Sequence, residues 1–265
     1  MDEKNYALIT GASTGIGRAI AEELAARKYN IILNSLPGQG LSAICDELSN
    51  KYRIHVMYYE VDLTIKEGPQ LLYEFVKNKS CKVDMLVNNA GIGFDGPIES
   101  YSADAIDYMI FLNIRALTLI THFFTPELKK QQKAYVLNIS SLGCYAPTAF
   151  KSVYLASKSY IYYFTRALDS EFKGTSVSIC IFTPATVKTN PNVLDRMERA
   201  GWFGRHTALD PEDVASEGIR GMLKGKKVII PGTINRLFFS LGLIVPQGII
   251  MTLTHHIFSN YHEKN

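Results

Sequence analysis

The sequence predicts an α/β fold with a doubly wound parallel sheet of about seven strands and helices on both faces. Seven short apolar runs recur along the chain, each continuous rather than alternating, as is typical of strands buried on both faces. They cover residues 6–10, 30–33, 55–59, 85–88, 134–139, 177–182 and 227–230. Between them lie segments with apolar residues at helical spacing, of which 103–124 and 152–172 are the longest. Neither a repeat nor a linker divides the chain, so we expect a single domain.

Composition excludes several classes of function. The chain has 265 residues, of which 47% are hydrophobic and 20% charged, and this permits a large core. A net charge of +3 with scattered Lys and Arg indicates no nucleic-acid partner. Four separated cysteines and six histidines show no metal-ligand spacing, so we expect no metal and no disulfide framework. The N-terminus lacks the pattern of a signal peptide, and we expect a cytoplasmic protein.

A glycine-rich turn joins the first predicted strand to the first predicted helix. It reads Thr10-Gly11-Ala12-Ser13-Thr14-Gly15-Ile16-Gly17. Glycines permit positive φ angles and a close backbone approach, and the free amides of a helix N-terminus favour an anion. The position therefore predicts a site for the pyrophosphate of a dinucleotide, although a structural turn alone would have the same pattern.

Tyr154 and Lys158 are four residues apart on a predicted helix, so their side chains lie on one face. When a hydride reaches a carbonyl carbon, charge builds on the oxygen and a general acid must protonate it. A neighbouring ammonium stabilises the phenolate of a tyrosine and makes it a better acid. Such pairs are common on helix surfaces, so the pair indicates catalysis only together with other groups.

Several motifs follow one another in a fixed order. They are the glycine turn, Val61-Asp62-Leu63, Asn88-Asn89-Ala90-Gly91, Asn113, Asn138-Ile139-Ser140-Ser141 and Tyr154-x-x-x-Lys158. In this order and spacing the chain resembles the short-chain dehydrogenase/reductase family from residue 6 to about 230. The resemblance implies a Rossmann-like fold and NAD(P)-dependent hydride transfer between nicotinamide and a carbonyl or alcohol. It also implies a homodimer or homotetramer that acts on a small molecule.

The same resemblance assigns four catalytic residues. Tyr154 would be the general acid and base, and Lys158 would stabilise it and bind the nicotinamide ribose. Ser141, rather than Ser140, would orient the substrate oxygen because it lies thirteen residues before the tyrosine. Asn113 would order a water that passes protons to Lys158, although an amide that satisfies backbone groups in a bent helix would look the same.

The resemblance also implies a set of cofactor-binding residues. They are Gly11, Ser13, Thr14, Gly15, Ile16, Gly17, Ser35, Asp62, Leu63, Asn89, Ala90, Gly91, Tyr154, Lys158, Pro184, Val187 and Thr189. Asp62 would accept from the adenine amino group, or be an ordinary carboxylate at a strand end. The chain departs from the family at Ser35, where an acidic residue marks NAD and a neighbouring Arg marks NADP. A neutral Ser35 does not repel a phosphate, so we expect NADP rather than NAD. The second departure is Ala185, which replaces the family's glycine.

Two segments fit the strand-and-helix plan poorly. Residues 188–209 hold Pro, Gly and charged residues with weak periodicity, so we expect a substrate loop or lid. We expect a catalytic domain over 1–235, followed at 236–265 by an apolar helical extension that is not an independent domain.

Residues 237–254 of this extension carry no Asp, Glu, Lys or Arg. They could cover an apolar substrate, form an oligomer contact or rest on a membrane surface, and we favour the first two. The substrate predicted from this tail and from the resemblance is a hydrophobic ketone, lipid-, steroid- or 3-oxoacyl-like. The competing hypothesis is a catalytically silent nucleotide-binding protein on the same fold.

Overall fold

The computed structural model describes residues 5–189, 193, 207–242, 245, 246, 248, 249, 251 and 252. Its strands are β1 (Asn5–Thr10), β2 (Asn30–Ser35), β3 (Val56–Glu60), β4 (Lys82–Asn88), β5 (Ala134–Ile139), β6 (Val177–Phe182) and β7 (Val228–Ile229). They form one parallel sheet in the order β3-β2-β1-β4-β5-β6-β7. The predicted fold class is therefore confirmed, including the seven strands.

The helices cover both faces of the sheet. They are α1 (Gly15–Ala26), α2 (Leu41–Tyr52), α3 (Gly68–Asn78), α4 (Ala103–Ile110), α5 (Leu117–Lys130), α6 (Ser152–Glu171), α7 (Pro211–Leu223) and α8 (Thr233–Gly242). Side chains of α1, α2 and α7, such as Leu24, Leu48 and Ile219, form the core on one face. Side chains of α3 and α5, such as Leu72 and Phe124, form the core on the other. Every residue of β2 and β5 is buried, which explains their continuous apolar sequences.

The site is placed by the point at which the strand order reverses. β1 lies between β2 and β4, so the chain leaves β1 in one direction and β4 in the other. The connections after these two strands diverge and leave a crevice at the carboxyl edge of the sheet, where ligands of such folds bind. The glycine turn follows β1 and Asn89-Ala90-Gly91 follows β4, so both border this crevice.

A chain of buried amides and hydroxyls ties the middle of the sheet to its helices. The Asn88 side-chain nitrogen donates to Asn138 Oδ1 at 2.8 Å and to Thr121 Oγ1 at 2.9 Å. Asn138 Nδ2 donates in turn to Thr165 Oγ1 at 2.9 Å. These groups are buried, so each hydrogen bond avoids the cost of an unpaired polar atom and fixes α5 and α6 against β4 and β5.

The two segments that fitted the plan poorly are described only in part. Residues 190–192 and 194–206 of the predicted lid lie outside the described residues, but its two ends meet in a bridge between Val187 and Leu209. α8 begins at Thr233, three residues before the predicted extension. Its Leu237 and Leu241 side chains are exposed. Within the described part of the chain, the helices are too short or too polar to cross a membrane.

Replacing Asn138 by Ala should lower the free energy of unfolding by about 2–3 kcal/mol, because it leaves the buried Asn88 amide and Thr165 hydroxyl short of a partner. Urea denaturation measures the change. The exposed amide Asn78 is the matched control, and its replacement by Ala should change stability by less than about 0.5 kcal/mol. Equal effects of the two substitutions would contradict the structural role of the amide chain.

Candidate active site

The glycine turn brings backbone amides to the crevice. α1 begins at Gly15, and its N-cap residue Thr14 makes no side-chain capping bond, so the first amides of the helix keep their donors for another group. Gly11 and Gly15 have φ angles of +63° and +56°, which disfavour other residues. Gly17 is required by space instead, since a Cβ there would lie 2.1 Å from the Gly11 oxygen. Ser13 and Ile16 complete the turn, both partly exposed.

Asn89 and Thr10 hold the ends of β1 and β4 together. The Asn89 side-chain nitrogen donates to the carbonyl oxygens of Thr10 and Gly11, each at 2.9 Å. The Thr10 hydroxyl oxygen accepts from the amides of Asn89 and Ala90, each at 3.0 Å. The crevice floor is therefore built from both strands, and Thr10 contributes to it although only its place in the turn motif pointed to it.

The predicted adenosine side is formed by the ends of β2 and β3. The Ser35 hydroxyl is buried and donates to the Leu36 carbonyl at 3.0 Å, so it is already engaged. Asp62 Oδ1 accepts from the amide and the hydroxyl of Thr64 at 2.8 and 2.7 Å, which fixes the carboxylate. Leu63 is packed into the core, so only its backbone is available to a ligand.

Tyr154 and Lys158 lie one turn apart on α6, facing the crevice. The Lys158 nitrogen is 5.8 Å from the centre of the Tyr154 ring. A Cβ on Gly93 would lie 2.6 Å from that ring, so the absence of a side chain there makes room for it. Lys158 is almost fully buried and donates to the Ile139 carbonyl at 3.2 Å. Burial disfavours its charge and lowers its pKa from 10.5 to about 8.

The two serines after β5 have different environments. Ser141 Oγ accepts from the Gly143 amide at 3.2 Å, which fixes the oxygen and leaves its hydrogen to donate elsewhere. Ser140 is buried and donates to the Lys158 carbonyl at 2.7 Å, so its hydrogen is already used. Of the two, Ser141 is therefore better suited to polarise a substrate oxygen.

Asn113 lies in a π-helical segment, Phe111–Ala116, between α4 and α5. Its Oδ1 accepts from the Ile92 amide at 2.9 Å, and its Nδ2 donates to the Ile92 carbonyl and to Ser157 Oγ. A Cβ on Gly91 would lie 3.1 Å from Asn113 Oδ1 and 3.2 Å from Lys158 Nζ, so a side chain at this position would crowd both groups. The amide thus satisfies backbone groups and borders the lysine at once.

The segment after β6 closes the crevice from the other side. The Pro184 carbonyl accepts from the Leu142 amide at 2.9 Å, which links this segment to the turn that follows Ser141. Val187 pairs with Leu209 at the base of the predicted lid. A Cβ on Gly15 would lie 3.0 Å from Thr189 Cγ2, so Thr189 reaches the glycine turn.

The positioning roles of Ser157 and Ser140 were absent from the sequence prediction, in which Ser140 appears only as the alternative to Ser141. Ser157 accepts from Asn113 Nδ2 at 2.9 Å and donates to the Tyr154 carbonyl at 2.6 Å. Ser140 holds the Lys158 carbonyl, as described above. Both serines fix the backbone of α6 beneath the catalytic pair, and no sequence pattern separates them from serines that merely fill space.

The fold and these contacts define a Rossmann-like protein with a Tyr-x-x-x-Lys pair at its switch point. A model of the short chain dehydrogenase family matches residues 5–199. The chain belongs to this family, as its motifs indicated.

Two curated relatives and one solved structure illustrate the similarity. The chain is 31% identical over 248 residues to hydroxysteroid dehydrogenase-like protein 1 of Gallus gallus, covering 92% of this chain and 73% of the relative. A human relative, named inactive hydroxysteroid dehydrogenase-like protein 1, is 34% identical over 75% of this chain and 61% of its own length. The alcohol dehydrogenase of the archaeon Thermococcus sibiricus, solved with 5-hydroxy-NADP, is 25% identical with a TM-score of 0.74, covering 86% of this chain and 96% of that one.

Replacing Lys158 by Met should stabilise the ligand-free protein at pH 7 by about 1–3 kcal/mol, because the buried ammonium is removed. The folded pKa of about 8 lies below the ordinary 10.5, so the folded state binds fewer protons between these values. The free energy of unfolding of the wild type therefore rises relative to that of the variant as the pH rises between these two pKa values. Urea denaturation from pH 7 to 10 follows the difference.

The exposed Lys173 provides the control for this measurement, since its replacement by Met should change stability by less than about 0.5 kcal/mol. Two results together would contradict the cost of burying the Lys158 ammonium. The Lys158→Met variant would be no more stable than the wild type at pH 7, and the difference between them would be constant from pH 7 to 10.

Proposed function

We propose that the protein is an NAD(P)-dependent oxidoreductase that transfers a hydride between nicotinamide and the carbonyl or secondary alcohol of a hydrophobic molecule. The observation that carries this proposal is the position of Tyr154 and Lys158, on one face of α6 at the crevice beside the glycine turn. Asn113 and Ser141 complete the catalytic set. The oxidoreductase class agrees with membership of the family.

The residues present fit a dinucleotide. The unengaged amides at the start of α1 and the Gly11–Gly17 turn suit its pyrophosphate. Asp62, Leu63 and Asn89–Gly91 lie on the side proposed for adenosine, with Ser35 at its rim. Pro184, Val187, Thr189, Tyr154 and Lys158 lie on the side proposed for nicotinamide. The related alcohol dehydrogenase bound to 5-hydroxy-NADP supports this class of cofactor, which supplies or accepts the hydride when bound.

In the direction of reduction, the Tyr154 hydroxyl gives its proton to the substrate oxygen as charge develops there. Ser141 donates a second hydrogen bond to the same oxygen, with its own oxygen held by the Gly143 amide. The Lys158 ammonium stabilises the phenolate that remains. Asn113, which lies beside Lys158 at Gly91, orders the water that returns the proton from solvent.

The substrate side is apolar. The Tyr145 ring, four residues after Ser141, contacts Phe239 of α8 with ring centres 4.5 Å apart and Tyr162 at 5.1 Å. The first residues of the apolar extension therefore lie against the turn that carries Ser141. A large hydrophobic ketone, lipid-, steroid- or 3-oxoacyl-like, suits this surface, and the relative named for hydroxysteroids agrees with it. We propose a cytoplasmic homo-oligomer, and for residues 237–254 we favour a role at the substrate or at an oligomer contact over contact with a membrane.

The second candidate function is a nucleotide-binding protein without turnover. This candidate is supported by the name of the human relative, which describes that protein as inactive. The retention of Tyr154, Lys158, Ser141 and Asn113 in contact-forming positions favours turnover instead.

Replacing Tyr154 by Phe should reduce kcat/KM for ketones by about 100-fold to 10,000-fold, because the proton donor is lost. The ring remains, so binding of reduced dinucleotide should change little. Consumption of NADH and NADPH with a panel of ketones measures turnover, and ligand fluorescence measures binding. Tyr163→Phe, on the exposed side of the same helix, is the matched control. Tight dinucleotide binding by the wild type without turnover of any carbonyl would support the silent protein.

Replacing Phe239 by Ala should raise KM for large apolar ketones about tenfold, because it removes an aromatic contact with Tyr145 and apolar surface. A small ketone that does not reach α8 should keep its KM. Leu241→Ala, a half-exposed apolar residue of the same helix, is the control. Equal KM changes for small and large ketones would argue against α8 as part of the substrate site.

A further inference from the structure

We infer that the carboxylate of Glu60, on the strand beside β2, selects between NAD and NADP and favours NAD. This inference rests on the proposed function and reverses the preference for NADP that Ser35 alone led us to expect. The residue that makes this choice in the family lies at the end of β2, where this chain has an uncharged serine. The structure places a carboxylate one strand away from it.

Glu60 and Ser35 are neighbours across the sheet. They are register partners at the carboxyl ends of β3 and β2, and the Val61 amide donates to the Ser35 carbonyl at 3.0 Å. Neighbouring strands are about 4.8 Å apart. Leu33 and Val56 belong to the core beneath α1 and α2, so alternation along each strand directs Ser35 and Glu60 to that same face. This is the face on which α1 begins with the glycine turn.

The end of β2 itself offers no charge to a ligand. The Ser35 hydroxyl already donates to the Leu36 carbonyl, and the exposed loop Leu36–Gly40 contains no charged residue. Arg18 of α1 is engaged by two carboxylates, Glu22 at 3.2 Å and Glu47 at 2.7 Å. A 2′-phosphate placed at the end of β2 would therefore meet no cation in this loop, and the guanidinium of Arg18 is already paired with two carboxylates.

Glu60 differs from these groups because its carboxylate is partly exposed and, among the residues that the structure describes, forms neither a hydrogen bond nor an ion pair. A carboxylate accepts hydrogen bonds from the ribose hydroxyls of NAD. The 2′-phosphate of NADP has no hydroxyl to donate at this position and repels a carboxylate a few ångströms away. The long side chain of Glu60 on β3 thus replaces the acidic side chain that NAD-preferring members of the family carry at the position of Ser35.

The test is direct binding of NADH and NADPH, measured by ligand fluorescence at fixed ionic strength, without substrate. The wild type should bind NADH about tenfold or more tightly than NADPH. Glu60→Gln should reduce this ratio about tenfold, mainly because NADPH binds more tightly, and Glu60→Lys should invert it. Glu171→Gln is the control, since this exposed carboxylate ends α6 near the amino edge of the sheet and should leave the ratio unchanged.

Two results would overturn the inference alone: a wild type that prefers NADPH, or a ratio that neither Glu60 substitution changes. Binding of neither dinucleotide would overturn the proposed function and this inference with it. A ratio that shifts equally with Glu171→Gln would show an effect of net charge rather than of Glu60, and would also overturn it.

Discussion

The side-chain amide of Asn89 is the contact on which the crevice depends. It donates to the carbonyl oxygens of Thr10 and Gly11. It therefore joins the ends of β1 and β4, the two strands after which the connections run in opposite directions. Gly17 must lack a side chain because a Cβ there would also collide with this amide, at 2.4 Å. The start of α1, the end of β4 and the glycine turn are therefore packed as one unit. A ligand that meets the α1 amides meets groups whose positions are already fixed, which reduces the cost of ordering them on binding.

A second constraint is the buried ammonium of Lys158. Burial of a charge is costly, and among the described contacts a single carbonyl, that of Ile139, accepts from it. The surrounding backbone is held by hydroxyls instead: Ser140 fixes the Lys158 carbonyl and Ser157 fixes the Tyr154 carbonyl. Such bonds fix the helix without neutralising the lysine, so its charge is available to the phenolate proposed for Tyr154. The amide chain of Asn88 and Asn138 supports the same helix from within the sheet. The stability that is lost by burying this ammonium is therefore lost at the position where the proposed reaction requires a cation.

Much of this architecture was predictable from the sequence, and the limits have physical causes. Continuous apolar runs predicted the strands because every residue of a strand such as β5 is buried. Motif order predicted that Tyr154, Lys158 and Asn113 lie at one crevice, and the structure places the Lys158 nitrogen 5.8 Å from the Tyr154 ring centre and both Lys158 and Asn113 beside Gly91. The roles of Ser140 and Ser157 were not predictable, because a serine that holds a carbonyl has no periodic signature. The neighbourhood of Ser35 and Glu60 depends on strand register, which relates residues 25 positions apart. The start of α8 at Thr233 was not predictable, since a helix boundary leaves a weak sequence pattern.

The bridge between Val187 and Leu209 joins the two ends of a long excursion at its base, reinforced by an ion pair between Lys188 and Asp210 at 3.2 Å. These contacts tie the segment after β6 to the segment before α7 at residues outside the excursion's middle, and the entropy of closing a longer loop grows slowly. Thr189, one residue beyond Lys188, lies beside the glycine turn. In evolution, changes confined to the excursion can therefore alter which substrates a protein of this fold accepts, while the residues at the crevice remain the same.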